Sequence, residues 1–190
     1  HMLNITGRIE AAIALAERAR AEAAEAADAG LLVTASFYTG QSYFNAGRLA
    51  EADAVLSDTL RRDDVAALMR VHCHGTRAMA RAMLGDFAGA AADAADAAAQ
   101  AERSGRPYDR IFADAAAGYV ANERRDDSAA IAMFRSALAR SDEAGIVQLR
   151  PPALAGLGHA QLAAGDVAAG SATRPFGSSC RSCTPTNMCL

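Results

Sequence analysis

The stretch Gly40–Leu60, GQSYFNAGRLAEADAVLSDTL, decides the fold. It reads as two helix-length segments joined at Gly47, a residue suited to the left-handed conformation that ends a helix. Gly40 lies seven residues before the turn, and Leu49 and Ala52 follow it by two and five. The same hexapeptide theme returns along the chain. Gly-Arg-Ile-Glu-Ala-Ala opens at Gly7, Gly-Asp-Phe-Ala-Gly-Ala at Gly85 and Gly-Asp-Val-Ala-Ala-Gly at Gly165, and Arg-Asp-Asp-Ser-Ala-Ala at Arg125 fills the remaining slot. Together with Gly47 these turns are spaced 40, 38, 40 and 40 residues apart. A fixed period of this size marks a stacked repeat, in which each unit buries its apolar face against its neighbours.

Around every turn the pattern is the same. A small residue stands seven positions upstream (Gly40, Ala78, Gly118, Gly158) and another five downstream (Ala12, Ala52, Ala90, Ala130, Gly170). Small residues there let two helices approach closely. An apolar residue two positions after the turn (Ile9, Leu49, Phe87, Val167) fills the wedge beside them, Asp127 being the exception. Asp86 and Asp166 are placed to cap the helix that follows. Each unit is therefore helix A, a tight turn and helix B.

Composition agrees. The chain of 190 residues contains 50 alanines, so half of its 52% hydrophobic content is single methyl groups, and aromatics are 5%. High helix propensity with few β-branched residues predicts an all-α protein. No run of about 18 uncharged apolar residues occurs, which excludes a membrane span of the usual kind. All 19 basic residues are Arg, the net charge is −3, and no basic block exists, so nucleic acid is a poor partner.

The periodicity predicts a leading B helix over 8–29 ended by Gly30. A/B pairs follow at 32–46 with 48–61, 65–84 with 86–103, and 107–123 with 126–144. A fourth A helix starts near Pro151 and Pro152, and a last B helix begins at Asp166. A chain that opens on an unpaired B helix is expected to be a fragment of a longer array, and His1-Met2 reads as the remnant of a cleaved tag. From Ser171 the composition shifts to Ser, Thr, Pro and Cys. The expected organisation is a solenoid over 1–170 and an irregular or non-native tail over 171–190. Three of the four cysteines (Cys180, Cys183, Cys189) lie in that tail, which is no disulfide framework. Zinc needs a fourth ligand that the tail lacks. The default setting is cytoplasmic.

Gly40-Gln-Ser-Tyr43 followed by Gly47, Leu49, Ala52, Leu56 and Leu60 resembles the tetratricopeptide repeat (TPR) family. The other units match in part: Gly85, Phe87 and Ala90; Gly118, Ala130, Phe134 and Ala137; Leu154, Leu157, Gly158 and Gly165. The family's aromatic early in helix A is replaced by Ser36, His74 and Asp114, and a period near 40 exceeds the usual 34. Longer helices or longer joints are expected. The resemblance implies a right-handed α-solenoid whose concave face, lined by helix A, docks a protein or peptide. Carried to this chain, the groove positions are Phe37, Gln41, Phe44 and Asn45; His72, Met79 and Met83; Phe112, Tyr119, Asn122 and Glu123; and His159. The phrases Gly-Arg-Leu-Ala-Glu-Ala, Leu84-Gly-Asp-Phe87 and Arg106-Pro-Tyr108 also resemble the helical-repeat regions of bacterial ATPase-linked cyclases and MalT-like regulators.

Catalytic chemistry is not expected. No phosphate loop, metalloprotease motif or nucleophile elbow is present. His72, Cys73 and His74 point to different faces of a helix and cannot share a metal. Tyr108-Asp109, Asp63-Asp64 and Asp126-Asp127 sit at turns or helix starts, where carboxylates act as caps. Arg77 and Arg81, at positions usually apolar, read as stems packed with their heads on an acid, or else as an anion clamp. The functional expectation is a non-catalytic interaction scaffold without cofactor or metal. The alternatives are a sensory module for a small molecule or peptide, and self-association into a homodimer through the terminal helices.

Overall fold

The computed structural model describes residues 8–173. Among them nine helices and no strand occur: α1 (Ile9–Glu25), α2 (Ala29–Asn45), α3 (Leu49–Leu60), α4 (Ala67–Met83), α5 (Phe87–Ser104), α6 (Pro107–Glu123), α7 (Asp127–Ala144), α8 (Arg150–Ala163) and α9 (Val167–Thr173). Helices α2, α4, α6 and α8 are the A helices, and the odd-numbered ones are B. The architecture is the right-handed α-solenoid of TPR-like pairs that the period demanded. No helix among the described residues is long and apolar enough to cross a membrane. Residues 171–173 belong to α9, and the expected tail beyond them lies outside the described residues.

The turns work as read. Gly47, Gly85 and Gly165 take φ of +74°, +86° and +86°, and Arg125 takes the same region at +60°. After three of these turns the carboxylates of Asp86, Asp126 and Asp166 accept the backbone N–H groups of Gly89, Ala129 and Ala169. One boundary differs from expectation. The first helix ends at Glu25, and Gly30 lies inside α2. Ala27 makes the turn with φ +53°, the Asp28 N–H closes back on the Ala23 carbonyl, and the Asp28 carboxylate caps α2 through the Leu31 N–H. The longer period is taken up in two ways. In the second and third units the helices themselves are long, 17 and 18 residues. In the first, α3 is short at 12 residues and the joint spanning 61–66 is extended.

Within each pair the A and B helices interlock where side chains are missing. A Cβ on Gly40 would fall 2.6 Å from Leu56 of α3, and one on Gly118 would fall 2.9 Å from the Phe134 ring of α7. Phe134 also presses on the next unit, since a Cβ on Gly156 of α8 would meet it at 2.2 Å. In the second unit both sizes change together. Ala78 replaces the glycine, and Ala94, the counterpart of Leu56 and Phe134, packs beside it in a cluster of Ala78, Ala82, Ala90 and Val120. The B helices bury one narrow stripe, such as Ala130, Phe134, Ala137 and Ser141. The A helices are buried on several sides.

A buried charge network crosses from the first unit to the second. Asp93 of α5 is 2% exposed. It accepts from His74 Nδ1 at 2.9 Å, from Arg77 Nε at 2.9 Å and from Arg81 Nη1 at 2.9 Å. Arg77 also donates to Ser57 Oγ at 3.0 Å and Arg81 to Asp53 Oδ1 at 2.7 Å, both on α3. The two arginines thus rest their heads on the protein's own acids. Burial pushes the Asp93 carboxyl up, but the bonds from His74 and Arg77 pull it below its ordinary value. The adjoining joint is stapled by Arg70, which donates to the carbonyls of Arg62 and Val65 at 2.9 and 3.2 Å.

Two stability outcomes are expected. Ala94→Leu alone should lower stability by about 1–3 kcal/mol through overpacking against Ala78, and adding Ala78→Gly should recover most of it. Urea unfolding of the two single variants and the double variant measures this coupling, and strictly additive effects would contradict the interlock. Asp93→Asn should cost about 3–5 kcal/mol, because two guanidiniums lose their buried counter-charge. An unchanged urea midpoint would show the network to be dispensable.

Candidate protein-interaction surface

Successive A helices pack on one another, α2 on α4, α4 on α6 and α6 on α8, whereas successive B helices make no comparable contact among the described residues. The A helices therefore line the inner side of the curve. The residues expected there divide by accessibility. Glu123 and His159 are exposed; Gln41, Asn45, His72, Met79, Met83, Phe112 and Tyr119 are half-buried; Phe37, Phe44 and Asn122 are buried, at 6%, 8% and 8% exposure.

The structure brings them together in three groups. Phe44, Met79 and Met83 pack with Ile13, Tyr43 and Val55 where α1, α2, α3 and α4 meet. Phe37, His72 and Phe112 form a ring ladder across α2, α4 and α6, with centroids 5.7 and 4.8 Å apart, and Tyr108 stands 5.8 Å from His72. Tyr119 and Asn122 join α6 to α8. The Tyr119 hydroxyl donates to the Pro152 carbonyl at 2.7 Å, and Asn122 Nδ2 donates to the Gly156 carbonyl at 3.3 Å. Burial pushes the Tyr119 phenol well above its ordinary value, which keeps it a neutral donor. Several of the rings expected in the groove thus connect one A helix to the next.

Among the described residues, two buried acceptors on this side have no hydrogen-bond partner: Gln41 Oε1 and Asn122 Oδ1. An unpaired buried acceptor carries a desolvation cost that a bound donor would relieve. The same holds for both oxygens of Asp109, which is 0% exposed. Its place in the first turn of α6 reads as a cap, yet it faces His72 instead, because α4 lies against that end of α6. The repeat pattern does not point to Tyr108, Asp109 or the helix-interior glycines Gly75 and Gly156 as packing contacts. A Cβ on Gly75 would meet Phe112 at 2.5 Å, and an isolated helical glycine is the available signal.

His72, Cys73 and His74 do diverge: His72 toward α6, Cys73 into a cluster with Phe37 and Leu56, and His74 toward α5. Burial pushes the Cys73 thiol up to about 12, so it is an inert thiol. His74, Asp93 and Asp96 bring three ligand atoms within 4.8 Å of one another. Two guanidiniums already occupy Asp93 and oppose a cation there.

No protein-family model matches the chain, and no curated protein does. A solved structure is similar over most of its length: a crystal structure described as a Podosopora anserina kinesin light chain with nearly identical TPR-like repeats. The two share 16% identity, the match covers 90% of this chain and 86% of that one, and the TM-score is 0.62. At that identity the likeness speaks for the fold: the chain is a TPR-like helical-repeat solenoid.

Proposed function

We propose that this solenoid is a non-catalytic protein-interaction module that docks a peptide or helix of a partner along its A-helix face. The observation that carries the reading is the combination on that face of half-buried apolar side chains, Met79, Met83 and Phe112, with the accessible polar side chains of Asn45 and Glu123. Methionines give an adaptable apolar surface, and accessible polar side chains beside it fix the direction of a bound backbone. Phe37, Phe44, Tyr119 and Asn122 shape this face from below, while Asn45, Glu123, His72 and His159 edge it. The proposal extends to a cytoplasmic setting within a larger bacterial regulator, following the resemblance of its turn phrases.

Self-association is the second reading. Leu15 on α1 is 50% exposed and Val167 at the start of α9 is 63% exposed, so the first and last described helices each present an apolar side chain.

Selection of displayed peptides on the immobilised protein tests the first reading. Peptides recovered on the unaltered chain should lose about tenfold or more in affinity for a Met79→Ser/Met83→Ser variant, as hot-spot anchors do, and keep it for Glu102→Ala on α5. Peptides indifferent to the methionine pair would remove the site assignment. Light scattering over a range of concentrations tests the second, and a constant monomer mass would exclude it.

A further inference from the structure

His72 occupies an unusual place. Its ring is boxed by Phe112, Phe37 and Tyr108, at centroid distances of 4.8, 5.7 and 5.8 Å, and its side chain is 13% exposed. Its Nε2 stands 3.5 Å from Asp109 Oδ1, an ion-pair distance but beyond a good hydrogen bond. Asp109 is 0% exposed, and among the described residues neither of its oxygens has a hydrogen-bond partner. This contact lies where α4 of the second unit meets α6 of the third. From the α6 side the groups facing His72 are Asp109, Tyr108 and the charge of Arg106. From α2 it meets Phe37, with Tyr38 behind that ring at 5.2 Å. On the other side of α4, helix α5 presents Ala97 and Ala101 to Val71, and His74 turns to Asp93 and Asp96.

We propose that His72 and Asp109 form a proton-operated joint between the second and third units, closed while the imidazole is neutral and loosened by acid. The neutral ring suits an aromatic box that leaves the side chain only 13% exposed to water. Protonation would place a cation in that box, where it can regain hydration only if α4 and α6 part. Asp109 attracts the proton but does not outweigh the box. Burial is the dominant influence and holds His72 below its ordinary value, Asp109 opposes this, and Arg106 adds to it. A depressed folded-state value has one consequence for sign. The stability tied to the neutral ring is complete above the unfolded-state value of 6.5 and is lost as the pH falls through the folded-state value. The proposal does not depend on what the inner face binds.

Amide hydrogen exchange of the full chain, corrected for the intrinsic pH dependence of exchange, tests it. Between pH 7.5 and 5, protection of residues 107–113 should fall by about tenfold, while residues 127–144 stay protected. His72→Phe, a neutral ring in the same box, should abolish that fall. Unchanged protection of 107–113 in the unaltered chain, or the same fall in His72→Phe, would overturn the joint. A nuclear magnetic resonance titration of the His72 ring in the unaltered chain needs no variant to fold. A midpoint below 6.5 supports the proposal, and one at or above 6.5 overturns it.

Discussion

The fold depends on how closely an A helix can lie against its B helix. Leu56 and Phe134 occupy the volume that a Cβ at Gly40 or Gly118 would need, and this lets the helix axes come together without a large side chain between them. In an alanine-rich chain this matters more than usual. Each buried alanine contributes roughly one methyl, about 0.8 kcal/mol, so close backbone packing has to do what larger side chains do elsewhere. The second unit meets the same constraint differently, with alanine at both places. The two members change together: glycine faces Leu56 or Phe134, and alanine faces alanine.

Polar contacts then determine how the pairs are stacked. Where the family resemblance expects an early aromatic on helix A, His74 and Asp114 instead bond across to helix B, His74 to Asp93 and Asp114 to Ser136 and Arg140. The buried carboxylate of Asp93 is tolerable because three side chains of α4, His74, Arg77 and Arg81, satisfy it. Asp109 lacks such bonds, and it sits at the joint whose neighbours are chiefly aromatic rings. The contrast between these two buried acids separates a locked boundary from a responsive one.

Much of the architecture was legible because turns and interlocks are local in sequence. Glycine corners at Gly47, Gly85 and Gly165, aspartate caps at Asp86 and Asp166, and small residues at fixed offsets are each set by a few neighbouring residues. The first B-to-A boundary was not, because its left-handed residue is Ala27, which carries no glycine signal, and the nearby Gly30 drew the boundary past it. The inner face was legible only in outline. Its positions follow from the repeat, but whether a ring is open or covered depends on a helix roughly a full repeat away. Phe37 is covered by α4, whereas Met79 and Met83 stay partly open. Asp109 reads as a cap by itself, and only the arrival of His72 makes it something else.

The extended joint after α3 has a mechanical consequence. A non-helical link in a helical array would ordinarily act as a swivel, but the guanidinium of Arg70 reaches back to two of its carbonyls and so holds the link in one shape. The fork works beside the bonds from Arg77 and Arg81 to α3, so the link and the helices it joins are held together. An array of the same period with a shorter side chain there would leave those bonds alone to set how one unit hangs on the next.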